Sequence, residues 1–163
     1  MKRNSVYALD FQAPALMGEQ LTYLRGRQFM GHVVVLCFLP YADLLSVGAM
    51  DRHAARFLEI DATLLIVSSG GRPLHRLWID QSKTPSIPVL ADPCGRLHRL
   101  FGVTMVPLSS RCRSFVIDRA GVLRLRVSHH FVNSDLEDLC RLIRLNQLPR
   151  AETARRKCDG CVC

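Results

Sequence analysis

HVVVLCFLPYADLLSVGAMDRHAARF, residues 32–57, is where this chain declares its architecture. Val33–Leu39 is an unbroken apolar run rich in β-branched residues, too short for a membrane span and long enough for a strand buried on both faces. Pro40 ends it, because proline has no N–H to donate to a sheet ladder. The period then changes. Leu44, Val47, Met50, Ala54 and Phe57 recur at three- and four-residue steps, the spacing of an amphipathic helix. A buried strand leading directly into a helix is half of a βαβ unit. In open α/β sheets, ligands bind beyond the carboxyl ends of such strands. Residues 40–48 are therefore where chemistry is expected.

Outward from this stretch, ATLLIVS (62–68) is a second buried strand, and the order strand, helix, strand predicts a parallel pair with a right-handed crossover. A turn at 68–71 leads to PLHRLWIDQ (73–81), a helix opened by Pro73 with Leu74, Leu77 and Trp78 as its apolar stripe. IPVLADPCGRLHRLFGV (87–103) follows as a short strand, a turn and a helix. Residues 104–111 read as a loop. SFVID (114–118) and VLRLRV (122–127) form a hairpin whose second strand sets Leu123, Leu125 and Val127 against Arg124 and Arg126, one face dry and one wet. Ser134 and Glu137 make a capping box for a last helix with Leu136, Leu139, Cys140 and Ile143 on its core face. Leu148-Pro149 stops that helix. Leu36 and Phe38 are expected to share one core with Ile66, Val116 and Leu139.

These blocks, in this order, resemble a peroxiredoxin of the alkyl hydroperoxide reductase/thiol-specific antioxidant type. YALDFQAPAL (7–16) and LTYLRG (21–26) are similar to the family's opening segments. Asp92, Pro93, Gly95, Gly102 and Val103 match its Asp-Pro-x-Gly … Tyr-Gly-Val block, and Phe115–Asp118 its Phe-x-Ile-Asp strand. The resemblance implies a thioredoxin-like α/β domain over residues 1–147, a central mixed sheet flanked by helices, with residues 148–163 as a basic, cysteine-rich tail. The family also carries Pro-x-x-x-Thr/Ser-x-x-Cys at the turn after the first buried strand, and that cysteine attacks peroxide. Counted from Pro40, Leu44 holds the hydroxyl position and Val47 the cysteine position. No cysteine lies between Cys37 and Cys94 to replace it.

The family's thiolate is supported by an arginine just before the Phe-x-Ile-Asp strand. Alignment on Phe115 puts Cys112 at that place, between Arg111 and Arg113. Either arginine faces the old pocket if a one-residue bulge restores the register. Flanked so, Cys112 is a candidate thiol with a depressed pKa in the same cleft as Val47. Cys37 and Cys140 read as inert core residues, and Cys94 as an exposed residue of a turn. His53, His75 and His98 read as surface or rim residues, Asp92 and Asp118 as turn residues, and His129-His130 as a loop or strand-end pair.

The chain has 163 residues, 48% of them hydrophobic, enough for one core. A formal charge of +8 comes from 22 basic against 14 acidic residues, and arginines scattered from Arg3 to Arg156 supply most of the positive charge. No recognition motif or aromatic-interleaved basic stripe accompanies them, so no nucleic-acid partner is expected. The amino end lacks an apolar stretch before Asp10, and no run approaches the ~20 apolar residues of a membrane-spanning helix. A cytoplasmic protein with mostly reduced thiols is expected, without membrane contact and without a cofactor. In the tail, Cys158-x-x-Cys161-x-Cys163 is preceded by Arg155, Arg156 and Lys157. That spacing suits disulfide exchange or a soft metal ion. Function is thus expected through partner binding, with a homodimer or an active paralogue as partner, or through redox or metal chemistry of the tail.

Overall fold

The computed structural model describes residues 8–39, 44–69, 76, 85–104, 111–130 and 133–145, the side chains of 44–46, 111, 129, 130 and 133–135 excepted. Seven strands form one mixed sheet: β1 (Gln12–Met17), β2 (Gln20–Arg25), β3 (Val33–Leu39), β4 (Ala62–Ser68), β5 (Val89–Ala91), β6 (Arg111–Ile117) and β7 (Leu123–His130). Their order across the sheet is β2-β1-β5-β4-β3-β6-β7. β3, β4 and β5 run parallel, while β1 and β6 join antiparallel on either side of them. The helices are α1 (Leu44–Leu58), α2 (Arg96–Phe101) and α3 (Asn133–Arg144), with a 3₁₀ turn at Gly26–Phe29.

β3 is buried at every position, and its side chains alternate between two layers. Val33, Val35, Cys37 and Leu39 pack with Val47, Met50 and Phe57 of α1 and with Leu136, Leu139, Cys140 and Ile143 of α3. Val34, Leu36 and Phe38 face the other way, toward Leu97 and Phe101 of α2 and toward Ala8 and Leu9. The single core expected for Leu36, Phe38, Ile66, Val116 and Leu139 is therefore corrected to two. Ile66, Val116 and Leu139 lie in the α1/α3 layer and Leu36 and Phe38 in the α2 layer. All five are buried.

The predicted strands at 33–39 and 62–68 and the helix after Pro40 are where the sequence put them. Two features were not expected. β1 and β2 form a hairpin with a continuous register from Gln12↔Arg25 to Met17↔Gln20. The second hairpin, β6–β7, is longer than 114–127 and carries a register shift at Val116/Ile117. Leu123 pairs with Ile117 and Leu125 with Val116, so Arg124 is the extra residue. The bulge moves Leu123 to the α2 face while Leu125 and Val127 stay on the α1/α3 face, which breaks the simple alternation read from VLRLRV. Arg124 is held by Asp118, Nε to Oδ2 2.5 Å. His129 and His130 end β7. Of the helix expected at 73–81 only residue 76 is described, and it is helical; the side chain of Ser134 and the stop at Leu148-Pro149 lie outside the described residues.

Side-chain contacts tie the layers together. Asp51 Oδ1 on α1 accepts from Ser86 N at 2.8 Å, Ser86 Oγ at 2.7 Å and Ile87 N at 3.0 Å, fixing the approach to β5. Arg56 and Glu137 join α1 to α3 at 2.6 Å. Gly26 is required by close approach, since a Cβ there would lie 2.3 Å from Leu9 O.

Phe38 is the centre of the α2 layer. Its ring lies 5.0 Å from His98, 5.5 Å from Phe101 and 5.3 Å from Phe115. Phe38→Ala should lower unfolding stability in urea by roughly 3–5 kcal/mol, the usual cost of emptying an aromatic core site. A loss below about 1 kcal/mol would contradict the packing described.

Candidate functional site

The turn expected to hold the site has two walls, the first turns of α1 and the upper end of β6. α1 begins at Leu44, whose side chain is outside the described residues, as is all of Pro40. Val47 is on the buried face of the helix and 1% exposed. Three residues on, Met50 is equally buried, so the helix presents an apolar stripe to the sheet. Cys112 is 0% exposed and belongs to the same apolar cluster as Val47. The sequence alignment thus put two residues at the nucleophile and arginine positions, and the fold brings both to one side of the sheet.

The flanking arginines do not follow. Residues of one strand alternate between faces, so Arg113 points away from Cys112. Its Nη1 donates to Gly102 O at 3.3 Å, at the end of α2. No bulge changes this register, because β3 and β6 pair continuously from Val34↔Ile117 to Phe38↔Arg113. The expectation that Arg113 faces the old pocket is therefore corrected: it lies across the sheet from Val47. Arg111 starts β6 at the place opposite His130, and its side chain is outside the described residues.

Cys112 is not an activated thiol. Burial pushes its pKa up to about 12. Cys37 is likewise pushed up to about 12. Burial is the main cause, the 3.1 Å contact with Ser114 Oγ partly offsets it, and the neighbouring Cys112 raises it further. Cys37 pairs directly with Ser114, which makes Cys112 its diagonal neighbour. Diagonal neighbours stand about 7–8 Å apart. That separation exceeds what a disulfide spans without backbone movement. Cys140, buried on α3, is also raised by burial, and its Sγ lies 3.7 Å from Arg56 O. All four described cysteines are free, and Cys94 alone among them is exposed.

Sequence reasoning missed a buried polar pair on the opposite face. Asp92 Oδ1 accepts from Arg96 N at 2.7 Å. Its Oδ2 accepts from His98 N at 2.9 Å and lies 2.7 Å from His98 Nδ1. Both residues are buried, so His98 is not the rim residue expected, and His53 is buried as well. The available signal was an aspartate placed to bond the first N–H groups of a following helix, with histidine at the third helical position. Among the described residues no cluster of three or more metal-ligating side chains occurs, and no helix is long and apolar enough to cross a membrane. Cys158, Cys161 and Cys163 lie outside the described residues.

Two measurements follow from the thiol environments. Under native alkylation at neutral pH, Cys94 and the tail cysteines should label first, with Cys37, Cys112 and Cys140 reacting only on unfolding. Early labelling of Cys37 would contradict its burial. The folded-state pKa of Cys37 is raised from 9.0 to about 12, so its neutral form is favoured by folding. That contribution is complete below the unfolded pKa and disappears as pH rises through the folded one. Thermal stability should fall between pH 9.0 and about 12, and Cys37→Val should flatten part of that fall. Parallel curves for the two proteins would refute the assignment.

With this geometry in hand, likeness to known proteins can be stated. Residues 6–126 match the AhpC/TSA family. Alkyl hydroperoxide reductase E of Mycobacterium tuberculosis is 33% identical over 113 residues, covering 65% of this chain and 72% of that protein. Peroxiredoxin tpx1 of Schizosaccharomyces pombe is 25% identical over 148 residues, 83% and 77% of the two chains. The crystal structure of Enterococcus faecalis AhpC superposes with a TM-score of 0.72 at 24% identity, over 85% of this chain and 88% of that one. A Plasmodium vivax 2-Cys peroxiredoxin gives 0.69 at 21% identity, over 84% and 91%. The mixed seven-stranded sheet is that of the thioredoxin-like fold, and the chain belongs to the AhpC/TSA family of peroxiredoxins.

Proposed function

We propose that this family member has lost conventional peroxide reduction and acts by binding a partner, either a second copy or an active paralogue. One observation carries the reading. The nucleophile position, Val47, and the arginine position, Cys112, are buried together in one apolar cluster. Peroxide reduction needs a thiolate, and a thiolate needs nearby positive charge or donors. Valine supplies no nucleophilic atom. Cys112 supplies a sulfur, but one held protonated by burial and closed to solvent. Any surviving redox chemistry belongs to Cys94 or to Cys158, Cys161 and Cys163. The burial of Cys37, Cys112 and Cys140 favours that second reading over a core thiol. In it the tail exchanges disulfides or holds a soft metal ion.

The test is thiol-dependent peroxide consumption by purified protein under single-turnover conditions. The expected rate is no faster than that of an ordinary exposed thiol, and it should fall to background when Cys94 and the three tail cysteines are replaced by serine. Fast turnover in that quadruple variant would overturn the reading. Rebuilding the site is the sharper experiment. Val47→Cys alone should give a thiol with a pKa above the ~8.5 of a free cysteine, because it is buried without a cation. Adding Cys112→Arg should lower that pKa by about 1–3 units, the usual effect of an opposite charge within reach. Arg113→Ala should leave it unchanged. A lowered pKa in the single variant would mean that a cation already serves the pocket.

A further inference from the structure

We infer that the groove between the carboxyl ends of α1 and α3 binds a small apolar zwitterion, either a free aliphatic amino acid or a short peptide of the same kind. The groove has a volume of about 430 Å³ and is lined by Glu59, Ile60, Arg119, Ile143 and Arg144. That volume falls within the roughly 300–1,000 Å³ of small-molecule sites. Glu59 and Ile60 follow the last turn of α1, Ile143 and Arg144 end α3, and Arg119 sits in the turn between β6 and β7. Val47 belongs to the first turn of α1, so the groove lies roughly 18 Å from it along the helix axis. Occupancy here is separate from any chemistry at Val47.

Most charges around the groove are already paired. Arg119 Nη2 donates to Asp61 Oδ2 at 3.2 Å, and Asp61 Oδ1 lies 3.1 Å from His32 Nδ1. His32 and Arg119 hold the Asp61 carboxyl below the usual carboxylate range, so it stays charged with both oxygens engaged. The pairing anchors Arg119 and leaves its other N–H groups for a ligand. Arg56 is likewise taken by Glu137 at 2.6 Å. Glu59 and Arg144 differ. They carry opposite charges in one groove, and among the described residues neither has an ion-pair partner, each other included. Burial raises the pKa of Cys140, Arg144 opposes that rise and Glu59 adds to it, so both charges act on one stretch of the α1/α3 seam.

A zwitterion uses every lining residue. Its carboxylate meets Arg144, with Arg119 beside it. Its ammonium meets Glu59, where the end of α1 adds partial negative charge. Its aliphatic body lies on Ile60 and Ile143, which belong to the edge of the α1/α3 layer. A simple anion would set a like charge against Glu59, and a simple cation would face two guanidinium groups. A divalent metal ion takes several oxygen ligands, and the lining offers one free carboxylate. The rival occupant is a second copy, since Leu58 and Leu145 flank the groove and are 69% and 52% exposed.

The test is isothermal titration of the full chain with L-leucine and with leucyl-leucine. At least one should bind saturably, with a Kd on the order of 1 mM or below. The tighter of the two identifies the source, free amino acid or peptide. Isocaproate, which lacks the ammonium, and isoamylamine, which lacks the carboxylate, should each bind at least tenfold more weakly. Glu59→Gln should weaken leucine binding to the level of isocaproate, and Arg144→Gln to the level of isoamylamine. A merely structural effect would weaken all four ligands alike. Amide resonances of 58–61, 119–121 and 141–145 should shift on binding. Four results would overturn the inference: no saturable binding of either zwitterion, equal affinity for the single-charge analogues, variants that weaken every ligand equally, or shifts confined to other residues. A dimer of the wild-type protein that Glu59→Gln or Arg144→Gln abolishes would give the groove to a second copy and overturn it too. None of these readouts depends on peroxide, so a peroxidase-active protein would refute the proposed function and leave this site standing.

Discussion

Strict alternation along β3 and β6 governs everything else in this molecule. Both strands lie between helical layers, so each step along them sends a side chain to one face of the sheet or the other. The constraint is binary, and a shift of one residue exchanges the faces completely. It explains why Cys112 and Arg113, neighbours in sequence, live in different chemical worlds. Cys112 is in the apolar layer beneath α1, and Arg113 reaches solvent over the end of α2. An arginine displaced by one place along β6 from position 112 is not a nearby substitute for one at that position. It is an arginine on the other side of a sheet.

Once that is fixed, the residues found at positions 47 and 112 are mutually consistent. A thiolate at position 47 would be unstable in an apolar layer without a cation beside it. An arginine at position 112 would be equally unstable there without an anion, since a lone buried charge costs several kcal/mol. Val47 and Cys112 are both neutral and belong to one buried cluster in that layer.

The readable part of the sequence was the part governed by a single strong period. Val33–Leu39, Ala62–Ser68 and the helix through Val47, Met50 and Phe57 are apolar at the right spacing and admit one reading. β1 was not legible as a strand because QAPALM has little β-branched character and a proline in its middle. The face of Leu123 was misread because a bulge is invisible to a period-two argument. His98 was read as a rim residue because a lone histidine on a short helix carries no sign of the aspartate six positions earlier that buries with it. At positions 47 and 112 the residue types are read directly, whereas the side of the sheet on which Arg113 falls needed the register.

Several of the residues that make this chain resemble its family hold the fold. Asp92 bonds the first N–H groups of α2 and the ring of His98. Gly102 ends that helix in a left-handed conformation at φ 64°, and its carbonyl receives Arg113. Phe115 closes the cluster around Phe38. All of these lie in the α2 layer, across the sheet from Val47 and Cys112. The central strands contribute alternate side chains to the two layers. Substitutions confined to one can therefore erase a reactive site while the other keeps its packing, its buried hydrogen bonds and its sequence signature. Likeness carried by Asp92, Gly102 and Phe115 therefore speaks for the packing of the α2 layer, and the chemistry of the layer beneath α1 is a separate question.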